Sequence, residues 1–206
     1  MATIVGMGQS VMKSAIENWI EEAGEKSLKD IGIKRGQKVL DFGCGSGNYT
    51  IPAARIVGED GLVYASDKDK GSLDQLMHKA ESIGLKNIIR LDTLDESGTG
   101  LDNESVDVVL LYDVLHYYYF PQAEDRRQLL REVYRVLKPS ALLSLYPTHL
   151  QSYMEPKLED VEREIQEASF YLESEYSGSL IVHDSNLEKG RVMNFRKGNT
   201  RARWKL

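Results

Sequence analysis

The run Val39-Leu40-Asp41-Phe42-Gly43-Cys44-Gly45-Ser46-Gly47-Asn48 constrains this chain more than any other stretch. Two apolar residues close a strand, an acid follows, and three glycines then alternate with other residues. Glycine has no Cβ and tolerates positive φ, so such a turn lets backbone approach a ligand closely. A helix that starts behind the turn points unpaired N–H groups at whatever lies there. The spacing is not that of a dinucleotide loop, which needs glycines separated by one and then two residues. No Lys-Ser/Thr pair follows, so it is not a P-loop either. A nicotinamide-dependent oxidoreductase is therefore disfavoured.

The surrounding pattern alternates strands and helices. Lys38–Phe42 reads as the first strand and Tyr49–Val57 as a helix, with Pro52 tolerated in its first turn. Leu62–Ser66, Asn87–Leu91, Val106–Leu111 and Ala141–Tyr146 read as further strands. Between them Gly71–Ile83 and Gln122–Leu137 carry helical apolar stripes, the second ended by Pro139. The strand runs are apolar on both faces, which predicts a parallel sheet covered by helices on both sides. Ahead of it, Ser10 is a candidate N-cap for an amphipathic helix through Val11, Met12, Ala15, Ile16, Trp19, Ile20 and Ala23, stopped by Gly24. That helix is a strut or part of a lid, and Gly6-Met7-Gly8 is the better lid candidate. After the fifth strand come a helix over Glu155–Ser169, a strand over Phe170–Tyr176 that Leu180–Val182 either extends or follows, and a strand over Arg191–Arg196. The expected fold is α/β and Rossmann-like: a doubly wound, mostly parallel seven-stranded sheet with an antiparallel final strand. A single domain spans 1–206, with an N-terminal part (1–33), a core (34–146) and a closing part (147–206).

Composition narrows function. One cysteine, Cys44, rules out an intramolecular disulfide and a four-cysteine zinc site. No metal-ligand spacing surrounds the His183-Asp184 pair, which reads as structural. No apolar run is long enough to span a bilayer and the first residues do not read as a signal peptide, so a cytoplasmic protein is expected. Net charge is −6, but Lys189 to Leu206 holds seven Lys/Arg and no acid, leaving 26 − 7 = 19 basic against 32 acidic residues elsewhere. An acidic body disfavours general phosphate-backbone binding. The basic end reads as an RNA or acidic-partner segment with Trp204 for stacking, as a solvated terminus, or as a tail lying against the protein's own acidic surface.

In an open parallel sheet, ligands bind at the carboxyl ends of the strands. The residues there are Asp41 to Gly47, Asp67-Lys68, Asp92-Thr93, Tyr112 to His116, and Pro147 to Tyr153. With these in view, Val39 to Gly47 resembles the first motif of the class I S-adenosylmethionine-dependent methyltransferases. Val106-Asp107-Val108-Val109-Leu110-Leu111-Tyr112-Asp113-Val114-Leu115-His116 and Leu130-Arg131-Glu132-Val133-Tyr134-Arg135-Val136-Leu137-Lys138-Pro139 resemble motifs of the branch typified by ubiquinone/menaquinone biosynthesis methyltransferases. That branch usually has Gly-Gly after Lys-Pro, where this chain has Ser140-Ala141.

The resemblance implies S-adenosylmethionine as cofactor and S-adenosylhomocysteine as product. It places Asp41 toward the ammonium, directly or through water. Backbone at Gly43, Cys44, Gly45 and Gly47 falls along the methionine moiety, and Asp67 on the ribose diol. Asp92 meets the adenine amino group, with Lys68 and Thr93 bordering the ring. Cys44 reads as a small loop residue rather than a nucleophile. The acceptor wall includes Tyr112, Asp113, His116, Tyr117-Tyr118-Tyr119, Tyr146, His149 and Tyr153. His116 is either a general base, its ordinary pKa suiting neutral pH, or a histidine packed under the tyrosines; Tyr112 is the other catalytic candidate. The tyrosines suit a flat aromatic substrate, or simply pack.

There is no Asn/Asp-Pro-Pro-aromatic segment, no Pro-Cys nucleophile and no set of cysteines for arsenite. A small-molecule acceptor is the default expectation. A protein acceptor, or a non-catalytic cofactor-binding module for regulation or assembly, are the alternatives.

Overall fold

The computed structural model describes residues 14–92, 98–150, 156–182 and 186–198. The expectations placed on Gly6-Met7-Gly8, Ser10, Val11, Met12, Thr93, Tyr153, His183-Asp184 and Trp204 lie outside those residues.

The first five strands of the chain are parallel: β1 (Lys38–Phe42), β2 (Leu62–Ser66), β3 (Ile88–Leu91), β4 (Val106–Tyr112) and β5 (Leu137–Tyr146). A long hairpin of β6 (Phe170–Val182) and β7 (Asn186–Lys197) completes a seven-stranded sheet in the order β3-β2-β1-β4-β5-β7-β6. β7 runs antiparallel to both β5 and β6. The sheet is thus the expected doubly wound, mostly parallel one.

Alternate residues of the central strands face opposite layers. Val39 and Val108 join a core with Leu28, α3 (Thr50–Val57) and α4 (Lys70–Ser82). Leu40 and Val109 join a second core with α5 (Ala123–Val136) and α6 (Leu158–Glu167). Two buried faces explain why these strands are continuous apolar runs rather than alternating ones.

Two local expectations are corrected and one that was open is decided. The first described helix, α1 (Ala15–Asn18), is capped by Ser14, which exchanges hydrogen bonds with Glu17. The chain continues through one wide turn at Trp19–Ala23 into α2 (Gly24–Asp30), so Gly24 does not stop it. A Cβ at Gly24 would stand 2.7 Å from Trp19 Cζ3, so the glycine makes room for the indole. Pro139 does not end α5 either. The helix stops at Val136, and Pro139 lies inside β5 where the ladder is interrupted, since Val106 pairs with Leu137 but Val108 with Leu142. A residue without an N–H is tolerated at such a break. Beside it Ser140 has φ +59, the left-handed region that favours glycine. Finally, Phe170–Tyr176 and Leu180–Val182 are one strand with a single register shift near Leu172.

Three of the four basic residues of β7 spend their charge on the protein itself. Arg191 faces Glu162 and Glu175, and Arg196 pairs with Glu173. Lys197 is buried, donates to the Leu137 carbonyl at 2.6 Å and lies 4.4 Å from the centre of the Tyr134 ring.

One buried ion pair joins the second helical layer to the loop after β4. Arg126 on α5 donates through Nε and Nη2 to both oxygens of Glu164 on α6, at 2.7 and 2.8 Å. Its remaining Nη1 donates to the carbonyls of Phe120 and Pro121 at 2.8 and 3.2 Å. Removing one partner strands a buried charge. Arg126→Met should therefore lower unfolding free energy by about 3–5 kcal/mol, and the double change with Glu164→Leu should recover most of it. Urea denaturation of the three proteins checks this.

Glu132 supplies an acid-sensitive contact on the same helix. The Arg135 guanidinium holds its carboxyl down to about 2, from an ordinary 4.5, assisted by the backbone N–H and hydroxyl of Thr99. A depressed carboxyl adds stability above its unfolded pKa and loses it as pH falls through the folded one. Between about pH 4.5 and 2 the wild type should lose urea resistance more steeply than Glu132→Gln. Denaturation midpoints across that range are the measurement.

Candidate active site

Parallel pairing of Phe42 with Ser66 sets the ends of β1 and β2 side by side. The glycine loop folds back onto that junction. Gly43 and Cys44 donate their N–H groups to the Ser66 carbonyl at 2.7 and 3.0 Å. Gly45 donates to Asp67 Oδ2 at 2.8 Å, and Gly47 closes the turn onto the Cys44 carbonyl at 3.0 Å. Gly43, Gly45 and Gly47 have φ of +75, +51 and +90. A Cβ at Gly43 would meet Val114 Cγ2 at 2.6 Å, and one at Gly47 would meet Leu76 Cδ1 at 2.2 Å. Backbone conformation and packing both demand glycine there.

A cavity of ≈ 180 Å³ opens against this loop. Gly43, Cys44 and Gly45 form one side, and Asp67 with Lys68 the next. Phe42, Tyr49 and Tyr112 supply aromatic walls. Asp113, Val114, Tyr119 and Phe120 arrive from the segment after β4, and Ile181 from β6. Lys68 Nζ lies 4.2 Å from the centre of the Tyr119 ring, so the segments after β2 and β4 meet across the cavity.

The structure brings Gly43, Cys44, Gly45, Asp67, Lys68 and Tyr112 together on this wall. Of the expected acceptor wall, Tyr117, Tyr118, Tyr146 and His149 do not line the cavity, and Asp41, Gly47, Asp92 and His116 are also held away. Asp41 is buried behind the loop, where Oδ2 accepts from Thr50 Oγ1 at 2.6 Å. The reason is strand alternation: Leu40 and Phe42 face the second core, so Asp41 faces the start of α3. Gly47 lies under the loop against α4. Asp92 is exposed and accepts from Arg90 Nε at 2.6 Å. His116 is buried beneath Tyr118 and Tyr119, at ring distances of 5.6 and 4.9 Å. Its Nδ1 accepts from the Tyr118 N–H at 3.3 Å, which puts the ring proton on Nε2, 3.1 Å from the Asp113 carbonyl.

Protonation states follow from burial. Burial, then the carboxylates of Asp41 and Asp67, push the Cys44 thiol up, so it stays a thiol and is no nucleophile. Burial likewise pushes up the phenols of Tyr49 and Tyr112. Tyr112 Oη shares a hydrogen bond with Ser144 Oγ at 2.8 Å. Tyr49 Oη donates to the Ile181 carbonyl and accepts from the Ile181 N–H, both at 2.8 Å.

Sequence reasoning missed Tyr49 and Ile181. Tyr49 follows the glycine loop directly, and its place at the head of α3 was a usable signal. Ile181 reaches the cavity only through the hairpin, and no local pattern marks it.

Residues 40–145 match the model of a family described as a methyltransferase domain. The chain belongs to that family. It is similar to a demethylmenaquinone methyltransferase of Lactobacillus johnsonii, 32% identical over 60% of this chain and 49% of the relative. It also resembles an Escherichia coli ubiquinone/menaquinone biosynthesis C-methyltransferase, 26% identical over 75% of this chain and 57% of the relative. A probable cobalt-precorrin-6B C(15)-methyltransferase of Saccharolobus solfataricus is 41% identical over 34% of this chain and 36% of its own. The chain thus spans from about a third to under three-fifths of the length of these relatives. A methyltransferase structure from Aquifex aeolicus superposes with TM-score 0.65 and 23% identity, covering 90% of this chain and all of the other. Its fold is that of solved S-adenosylmethionine-dependent methyltransferases.

The site suits that cofactor. Asp67 uses one lone pair of Oδ2 on Gly45 and one of Oδ1 on the Asp69 N–H, at 2.8 and 2.9 Å. A carboxylate has about four acceptor positions, so room remains for a diol. Asp67→Ala removes both the loop brace and those acceptors. It should weaken S-adenosylhomocysteine binding at least tenfold, and titration calorimetry reads the change.

Proposed function

We propose that this methyltransferase carries the methyl group of S-adenosylmethionine to a small, flat organic acceptor by in-line displacement. The observation that carries the reading is the aromatic character of the cavity beside the glycine loop. Phe42, Tyr49, Tyr112, Tyr119 and Phe120 line it within ≈ 180 Å³. Planar rings stack or meet edge-on with a planar ligand. Two relatives, a demethylmenaquinone methyltransferase and a probable cobalt-precorrin-6B methyltransferase, support a small ring-bearing acceptor.

In this reading Asp67 accepts from the ribose hydroxyls, and the backbone at Gly43 and Gly45 runs along the methionine moiety. Lys68 borders the adenosine. Asp41, behind the loop, acts on the ammonium through bound water. S-adenosylmethionine supplies a methyl that is already activated, so the protein's task is to align the acceptor and keep water out. Proximity and orientation account for a large part of the rate enhancement. Tyr112, with its phenol kept neutral, contributes a ring face and a fixed dipole rather than a base.

The test is transfer from tritiated S-adenosylmethionine to a short-chain demethylmenaquinol and, separately, to a cell extract split into small-molecule and protein fractions. Label is expected in the quinol or in the small-molecule fraction. Label confined to the protein fraction would replace this reading with a protein acceptor.

A further inference from the structure

At the acceptor end of the cavity stands a carboxylate that the cofactor does not need. Asp113 follows Tyr112 at the carboxyl end of β4 and lines the cavity. It has φ +59, and His149, after β5, has φ +55. Residues with a side chain hold that backbone at a cost, and such positions concentrate at functional sites. Thr148 Oγ1 donates to Asp113 Oδ1 and fixes the carboxylate. Two imidazoles flank the same oxygen: His116 Nε2 at 3.5 Å and His149 Nε2 at 3.7 Å. The two rings lie 5.0 Å apart.

The imidazoles are not equivalent. His116 is buried, with Nδ1 accepting from Tyr118 and its Nε2 proton directed to the Asp113 carbonyl. Taking a further proton would break the Tyr118 contact. The His149 side chain is 25% exposed while its Nε2, on the Asp113 side, is buried, so the ring extends from the carboxylate toward the surface. Its Nε2 lies about 0.5 Å beyond the 3.2 Å limit of an N–H···O bond to Asp113, within reach of a rotamer adjustment.

We propose that Asp113 takes the proton the acceptor loses on methylation and passes it to His149, which releases it to water. The proposal rests on the transfer reading above and deepens it. The acceptor's lone pair forms the new bond to the methyl carbon, the electrons of the breaking sulfur–carbon bond return to sulfur, and the acceptor's proton moves to the Asp113 carboxylate. The acceptor class follows: a neutral group bearing O–H or N–H. An acceptor that arrives as a carboxylate meets Asp113 charge against charge.

Other ionisable groups facing Asp113 do not take over the task. Tyr112 and Tyr146 are the phenols near it, from β4 and β5. Burial, Glu188 and Asp113 itself push Tyr146 up to about 12, so it holds its proton. Tyr119, from the segment after β4, sits under Lys68 Nζ. Asp67 and Lys68 stand on the cofactor side, with Asp67 bound to Gly45 and Asp69.

The experiment measures methyl transfer from tritiated S-adenosylmethionine into all fractions of an extract by the full chain, Asp113→Asn and His149→Gln, with S-adenosylhomocysteine affinity by calorimetry alongside. Asp113→Asn should keep its affinity for S-adenosylhomocysteine within about threefold and lose about 10²–10⁴-fold in turnover. The loss should shrink about tenfold per pH unit as the acceptor ionises on its own. His149→Gln should lose less and recover on addition of imidazole. Turnover by Asp113→Asn within twofold of wild type overturns the proposal, as does a loss that rising pH leaves constant. Failure of imidazole to restore His149→Gln overturns the exit through that residue. The acceptor reading is judged separately by where the label lands. Label in protein together with a loss in Asp113→Asn would remove the small-molecule acceptor and leave the proton acceptor standing.

Discussion

The hydrogen bond from the Gly45 N–H to Asp67 is the contact on which the site depends. It ties the turn after β1 to the end of β2, two points that the parallel register of Phe42 with Ser66 has already set side by side. A loop with three residues at positive φ has many alternative shapes in isolation. Here the Ser66 carbonyl takes two of its N–H groups and the Asp67 carboxylate a third. Burial, then Asp41 and this same carboxylate, keep Cys44 protonated.

The opposite side of the cavity is held from farther away. The segment from Asp113 to Phe120 has little regular structure, yet the Phe120 and Pro121 carbonyls are gripped by Arg126. Arg126 is itself locked to Glu164 on a separate helix. Buried pairs of this kind favour one arrangement over others more than they add stability. Across the cavity, Tyr49 clips Ile181 by both its N–H and its carbonyl, and the Trp19 indole donates to the Ser179 carbonyl at 2.7 Å. The far end of β6 thus becomes a wall of the cavity, although its strand partner is β7.

Much of this was legible in the chain. β1 and β2 have the boundaries that their apolar runs predict, because a strand buried on both faces leaves an unbroken hydrophobic signature. The glycine loop and Asp67 were recognisable because each answers a local demand, positive φ or an acid at a strand end. Gly24 and Pro139 misled for the opposite reason. Their usual meaning as helix terminators is local, but here each answers a neighbour: the Trp19 ring for Gly24 and the broken β4–β5 ladder for Pro139. Asp92 shows the same limit. At the end of a strand it matched the expected pattern, and the structure spends it on Arg90 at the surface.

The sequence by itself determined the order of strands and helices, the fold class and the glycine turn with Asp67 beside it. Periodicity, glycine conformation and strand-end acids are properties of short segments, and each carries its meaning within about ten residues. The tertiary structure alone decided the far side of the cavity. It buried His116 with its nitrogens committed to backbone, and it brought Asp113 and His149 together from the ends of two strands. It also carried Ile181 to the cavity from a hairpin more than a hundred residues beyond the loop it faces. Those placements depend on packing between distant elements, where one residue's role is set by what lies against it.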